Sequence, residues 1–290
     1  MPWRRRLQGL SPTLDIARAD LSGVDGQRAQ LRRPPETEIT NVTKVLRLVA
    51  IAGVLLGSVH AAAAQTADEI VEKHLAAIGG RAALSKLTSR MMAGTIAIST
   101  PAGEFSGPIE IWNQSPNKVR TLINLDLSAV GVGKMTVDQR FDGTTGYAMD
   151  TLQGNRDITG DQLEGMRNGF FPTPLLNYKQ NGISVELTGK EKVGDRDAFV
   201  LVIKPKTGPS SKSYIDATTF MMFRQVVTAD IPPVGTLEQT TDLSDERVVD
   251  GVKVAHKIVS TSSVQNFTVT ISKVEHNGAL DQTLFSKPAN

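Results

Sequence analysis

The chain has 290 residues, 40% of them hydrophobic, with 32 Lys and Arg against 30 Asp and Glu and a formal net charge of +2. It contains no cysteine, which excludes disulfides, thiolate metal sites and a lipidated cysteine anchor. Nine of the basic and five of the acidic residues precede residue 65, leaving 23 against 25 in residues 65–290; a balance so near neutral makes no electrostatic case for nucleic acid or an anionic membrane.

Residues 1–41 carry WRRR near one end and RRPP near the other and show no pattern of their own. The run NVTKVLRLVAIAGVLLGSVHAAAAQ (41–65) is the most apolar in the chain, yet its uncharged core, Leu48 to Val59, is only twelve residues long, and a membrane-spanning helix needs roughly twenty. Lys44 and Arg47 in front and Ala62-Ala63-Ala64 behind supply the parts of a secretory signal in order. The expectation is a signal peptide over 42–64, cleaved after Ala64, and a periplasmic protein with no stable membrane anchor. Since such signals start at the initiator, residues 1–41 read as a mispredicted N-terminal extension, with Val42 as the true start. Residues 65–290, without a long linker or a repeat of fixed period, read as one domain.

Thr66-Ala67-Asp68-Glu69 is a T-x-x-E capping box, so a helix is predicted to begin there. Ala67, Ile70, Val71, His74, Leu75 and Ile78 follow at spacings of three and four, and Gly79-Gly80 supplies the stop. Arg81–Leu87 is expected as a second, shorter helix. From Arg90 the period changes from 3.6 to 2. MMAGTIAIS and EFSGPIEIW flank TPAG as a hairpin, and KVRTLINLDL alternates Val119, Thr121, Ile123, Leu125 and Leu127 against Arg120, Asn124 and Asp126. KMTVDQRF turns through Asp142-Gly143 into TTGYAMD, and ISVELTGKEK turns through Gly194-Asp195 into AFVLVIK. SKSYIDATTF, MMFRQVVT, TLEQTTDLSDERVV, VKVAHKIVS and QNFTVTISKVEHN complete an expected ten to twelve strands. Between the two strand-rich halves, Thr159-Gly160-Asp161-Gln162 predicts another capped helix through Leu163 and Met166 to Asn168-Gly169, followed by Phe170, Phe171, Pro172 and Pro174. This segment is a lid or crossing loop, or equally an ordinary loop whose rings are pinned into the core.

Three helices totalling about thirty residues make roughly 45 Å of helix, too little to cover so wide a sheet. Either the sheet closes into a barrel packed by its own side chains, or it curves around the helices and leaves an apolar hollow. Only 5% of residues are aromatic, and slender inward side chains fill a wide interior poorly. A hollow would have Ile109, Ile111, Ile123, Leu125 and Val137 as its floor, with Ile70, Leu75, Met166 and Phe170 facing them from the lid. Such a cavity suits an acyl chain or another apolar ligand.

The sequence holds little chemistry. Of the histidines only His74, His256 and His276 follow residue 65, none in H-E-x-x-H spacing, and no G-x-S-x-G nucleophile elbow is present. Ser128-Ala129-Val130-Gly131-Val132-Gly133-Lys134 approaches a phosphate loop, but a serine replaces its first glycine and Met135 follows the lysine, so it reads as an inter-strand turn. No catalytic residue, metal site or cofactor is predicted, and the protein is not expected to be an enzyme.

FDGTTGYAMD with the capped helix after it, SYIDATTFMMFRQV, ERVVDGVKVAHKI and the closing VEHNGALDQTLFSKP together resemble the LolA/LolB-type superfamily of periplasmic lipoprotein carriers, and especially its lipoprotein-sorting-like branch, over about residues 66–288. The resemblance implies an α+β fold: an antiparallel half-open β-barrel of about eleven strands, closed by a short helical lid over a cavity for lipoprotein acyl chains. Family carriers place an arginine just before the proline after the second strand, where it ties the lid shut; here Gln114-Ser115-Pro116 offers Ser115, with Arg120 as a candidate substitute. The function expected is a monomeric, soluble periplasmic carrier or sensor of an apolar ligand such as a lipid or lipoprotein acyl chains. The alternative is a non-catalytic interaction module that binds an envelope protein partner.

Overall fold

The computed structural model describes residues 65–100, 103–231 and 235–288. The expected extension, signal peptide and cleavage site, and the Pro101-Ala102 tip of the first hairpin, lie outside them. Residues 64–290 form one compact unit.

Helix α1 (Ala67–Ala77) begins as the capping box dictates: the Glu69 amide donates to the Thr66 hydroxyl at 3.2 Å, and the Thr66 amide donates to the Glu69 carboxylate at 3.0 Å. It ends where Gly79 and Gly80 take φ of 131° and 86° and the Gly80 amide returns to the Leu75 carbonyl at 2.8 Å, a left-handed exit open to residues without a Cβ. Helix α2 (Arg81–Leu84) is shorter than the predicted 81–87, its last residues continuing only as turns. The mid-chain helix α3 (Gly160–Arg167) forms as expected, but the Thr159 hydroxyl makes no capping bond.

The strands are β1 (Ser89–Thr100), β2 (Gly103–Gln114), β3 (Lys118–Asp126), β4 (Lys134–Phe141), β5 (Gly146–Asp150), β6 (Arg156–Ile158), β7 (Ser184–Val193), β8 (Arg196–Lys204), β9 (Ser211–Asp216), β10 (Met222–Ile231), β11 (Gly235–Val249), β12 (Val252–Ser262) and β13 (Asn266–His276). They make one antiparallel sheet in the order β6-β5-β4-β3-β2-β1-β13-β12-β11-β10-β9-β8-β7. Among the described residues thirteen strands replace the expected ten to twelve; β6, three residues long, is too short to show an alternation in sequence. β6 and β7 end the sheet without pairing to each other, so it stays open. The 128–134 stretch is the inter-strand turn expected, a 3-10 turn over Ser128–Val130 followed by Gly131 and Gly133 at positive φ.

Two glycines permit unusually close approach between strands. A Cβ on Gly107 would lie 1.9 Å from the Asn124 carbonyl oxygen, and one on Gly94, beside a register shift in β1, would lie 2.1 Å from that of Thr270. Only a residue without a side chain permits so close a backbone approach. The inner face thus gathers two apolar clusters. The first joins Ile70, Val71 and Leu75 of α1 to Leu175, Leu176, Tyr178 and Ile183 of the 170–183 segment and to Phe199, Leu201 and Ile215 of β8 and β9. The second, made by the sheet alone, joins Met92, Ile96, Ile109, Leu125, Val254, Val269 and Ile271.

On the opposite face of β3 and β4, Asp138 sits 4% exposed between Arg120 and Arg140, at 2.7 and 2.8 Å. Burial alone would raise its carboxyl, but the hydrogen bonds from both guanidinium groups outweigh that and hold it below the usual carboxylate range. The chain's end covers this face: Arg140 donates to the Ser286 carbonyl at 3.1 Å, Lys118 to Gln282 at 2.7 Å, and Phe285 is 1% exposed.

Candidate functional site

Helix α3 is held against the sheet by polar contacts on two sides. Toward β9 and β10, Asp161 accepts from the Asp230 amide at 2.9 Å, Glu164 accepts from the Thr207 hydroxyl at 2.5 Å, and the Asn168 amide donates to the Thr207 carbonyl at 2.9 Å. Toward β2 and β5, Asn117 donates to the Arg167 carbonyl at 2.9 Å, Arg167 donates to the Thr144 carbonyl at 3.2 Å, and the Phe171 amide donates to the Pro116 carbonyl at 2.7 Å. The following segment is tied to the first helices: the Tyr178 hydroxyl and Lys179 ammonium both bind Asp68, and Arg81 donates to the Leu176 carbonyl at 2.6 Å.

Beneath this strap lies a cavity of about 340 Å³. Leu175, Ile183, Ile203, Met222 and Val227 form its apolar walls with Pro174, Pro205 and Pro209, and its polar groups are those of Asn168, Thr173, Ser211 and Gln225. No ionisable side chain lines it. Its size and lining are those of a site for a small apolar ligand, in which a few polar groups fix orientation.

No protein-family model matches the sequence, and no curated protein is similar to it. Among solved structures the chain is similar to a LolA superfamily protein from Nitrosomonas europaea, at 14% identity and a TM-score of 0.51, over 77% of this chain and 99% of that one. It is similar also to a DUF1329 family protein from Desulfovibrio piger, at 12% identity and a TM-score of 0.50, over 76% and 97% of the two chains. The likeness is one of fold: this chain has the fold of that LolA superfamily protein. A putative outer membrane lipoprotein-sorting protein domain from Vibrio parahaemolyticus aligns over 76% of this chain at 11% identity, with a TM-score of 0.49.

Within this LolA-type fold, Ser115 stands where the resemblance calls for arginine, and its amide donates to the Thr88 carbonyl at 2.9 Å. Arg120 does not replace that arginine: it is committed to Asp138 and lies 5.0 Å over the Trp112 ring on the other face of the sheet. The bonds to the mid-chain segment come instead from the neighbouring Pro116 and Asn117.

Eight of the nine residues expected to form floor and lid fall into two groups. Ile70 and Leu75 are fully buried in the first cluster, with Phe170 packed against it. Ile109 and Leu125 are buried in the second, with Ile111 and Ile123 packed against it, and half-buried Val137 pairs with Ile123. Met166 is half-buried on α3. None of the nine lines the cavity, whose walls Leu175, Ile183, Ile203 and Met222 belong to the first cluster or pack against it. Its signal in the sequence is a polar residue at inward positions of two adjacent strands, Ser211 in SKSYID and Gln225 in MFRQVV, a pattern that alternation by itself assigns to a wet face.

The histidines are structural. His74 is 4% exposed and donates from Nδ1 to the Phe220 carbonyl at 3.0 Å; burial pushes its pKa down, opposed by that bond. His256 hydrogen-bonds the Val254 carbonyl at 2.8 Å, and His276 pairs with Asp250 at 3.1 Å while burial lowers its pKa as well. Among the described residues no group of three His, Asp or Glu is placed to hold a metal ion, and no helix is long and apolar enough to cross a membrane.

Proposed function

We propose that this protein is a periplasmic carrier or sensor that holds an apolar ligand, a lipid or the acyl chains of a lipoprotein, beneath α3. The observation that carries the reading is the cavity itself: an apolar space without one ionisable side chain, roofed by a helix whose attachments are individually weak polar contacts. Each neutral hydrogen bond of this kind contributes about 0.5–1.5 kcal/mol net and those made by Asp161, Glu164 and Arg167 about 1.5–3 kcal/mol; the carrier reading requires this roof to open without unfolding the sheet. A chain longer than the cavity would continue along the inner face toward Ile111, Ile123 and Val137, where the second cluster is only half-buried. Ile70, Leu75, Met166 and Phe170 would then support the roof. Export by the segment 42–64, with residue 65 first in the mature chain, belongs to the same reading, and protein recovered from the periplasm should begin within a residue or two of Gln65.

Native mass spectrometry of protein purified without detergent tests the proposal. Adducts of lipid mass that disappear on denaturation are the expected result. A spectrum of bare protein, together with no saturable binding of a fluorescent acyl probe, would favour the alternative, a non-catalytic module that binds an envelope protein. The observation favouring that alternative is that half of the inner face is already filled by its own side chains.

A further inference from the structure

Where β1 begins, the inner face carries a polar group of side chains apart from the cavity. Pairing registers set Arg90 of β1 directly opposite Asn113 of β2 on one side and His276 of β13 on the other. The next inward residues, Met92, Ile111 and Val274, belong to the second cluster or pack against it. Residues opposed in this way bring their Cβ atoms to about 4.5–5.5 Å. Each of the three has one buried polar atom without a partner: Arg90 Nε, Asn113 Oδ1 and His276 Nε2. The His276 side chain is 1% exposed, and its other nitrogen is engaged by Asp250 at 3.1 Å. From the segment after α3, the Phe171 ring centre lies 5.3 Å from the Arg90 guanidinium.

No acidic side chain answers Arg90. Burial pulls its pKa down to about 10 with no charge opposing the shift, and Asp250 is turned to His276 and to solvent. A guanidinium so placed is normally paired. Arg90 and Asn113 are half-buried rather than closed off. Of their side-chain nitrogens only Nε is enclosed, so the terminal nitrogens of Arg90 and the amide nitrogen of Asn113 meet solvent. All of these are donors, and one guanidinium balances one negative charge. We infer that Arg90 and Asn113 form a binding site for a monocarboxylate, which accepts hydrogen bonds from the terminal guanidinium nitrogens and the Asn113 amide. The carboxylate is that of a small acid or of a peptide's C-terminus. The site shares no residue with the cavity and does not depend on the carrier reading. His276 faces Arg90 from β1 and Asp250 from the turn between β11 and β12. Burial disfavours its imidazolium, the Asp250 bond opposes that, and the Arg90 charge adds to it. An anion on Arg90 offsets that charge, so His276 takes up a proton more readily in the complex and binding tightens as pH falls.

Heteronuclear NMR of the Arg90 Nε–H and His276 imidazole signals tests the site, with acetate, acetyl-tetraglycine, its C-terminal amide and inorganic phosphate as probes. Acetate or the free-acid peptide should shift both signals saturably and bind at least tenfold more tightly than the amide or phosphate. The tighter of the two names a small acid or a peptide terminus as the source; equal affinity means that the carboxylate alone is recognised. Read from His276, Arg90→Gln should weaken binding at least tenfold and Asn113→Ala at least threefold. Affinity should be at least twofold higher at pH 5.5 than at pH 7.5, a difference that His276→Gln removes. If Arg90→Gln does not fold, Asn113→Ala, which leaves the charge in place, decides instead. No saturable shift, binding of the amide or phosphate as tight as that of the carboxylates, or affinity unchanged by these substitutions overturns the site. A pH-independent affinity overturns the part given to His276.

Discussion

The two halves of the sheet solve the same problem differently. Around β7 to β10 the inner face is covered by α1, α3 and the 170–183 segment, and the mismatch between helix and sheet leaves a cavity. Around β1 to β4, β12 and β13 no helix contributes to the cluster; the strands approach closely at Gly94 and Gly107 and their own side chains fill the inner face. Cover by a separate element leaves space and a roof held by polar bonds, whereas closure by curvature brings backbone to within van der Waals limits and leaves little room. The proposed carrier reading places ligand exchange in the first half and rigidity in the second.

The comparison can be broken hardest on the outer face of the second half. Removing Asp138 leaves Arg120 and Arg140, each 13% exposed, facing one another without a counter-charge; Asp138→Ala should cost about 3–5 kcal/mol, read by urea denaturation, with probe binding in the folded fraction unchanged. In the first half, Leu75→Ala empties a fully buried site and should cost about 2–5 kcal/mol, and because this core supports the cavity, it should also weaken the acyl probe. If each variant lost stability and binding together, the two halves would not be separable.

Tryptophan substitutions sharpen the same contrast. Val227→Trp, in the cavity wall, should lower probe affinity at least tenfold while the melting temperature changes little. Ile123→Trp, against the self-packed cluster, should overpack it at about 1–3 kcal/mol and leave bound a probe short enough to fit within the cavity. The reverse outcome for Ile123, lost binding with an unchanged melting temperature, would extend the ligand site into the second half.

Acidification should act on the first half through His74. Its pKa in the folded protein lies below the ordinary 6.5 because burial disfavours the imidazolium. The unfolded chain then binds the proton more readily, so this stabilisation is complete above about pH 6.5 and is lost as pH falls below it, by at most about 1.4 kcal/mol per pH unit. His276 shifts in the same direction and adds to the slope. Asp138 acts only later: with its folded pKa below the usual 3.8, its contribution is present above that value and disappears as pH falls further. Denaturation at pH 7.5 and 5.5 should show a loss that His74→Gln reduces; an unchanged slope would mean that His74 is accessible to protons in the folded state.

The smallest effect is expected at the roof. Asn117→Ala removes one bond to the Arg167 carbonyl and should cost about 0.5–1.5 kcal/mol. Its clearer signature is faster probe release in stopped-flow measurements, without a change in the second half's hydrogen-exchange protection.

The sequence by itself determined the local elements, because their causes are local. Thr66 and Glu69 start α1 by bonding to amides three residues away, Gly79 and Gly80 end it through their own φ angles, and the strands from β1 to β13 follow from a two-residue alternation, with only three-residue β6 too short to register. Series of such elements sufficed for the LolA-type resemblance. Tertiary structure decided which inward residues meet. Ile109 and Ile70 both point inward, but whether they share a cavity depends on how the strands pack, including the close backbone approaches of Gly107 to Asn124 in the next strand and of Gly94 to Thr270 far along the chain. The attachment of α3 through Asn117 rather than Arg120, the covering of Asp138 by the last residues, and the alignment of Arg90 with Asn113 and His276 depend likewise on register between strands. Alternation assigns a side chain to a face; only pairing assigns it its neighbours.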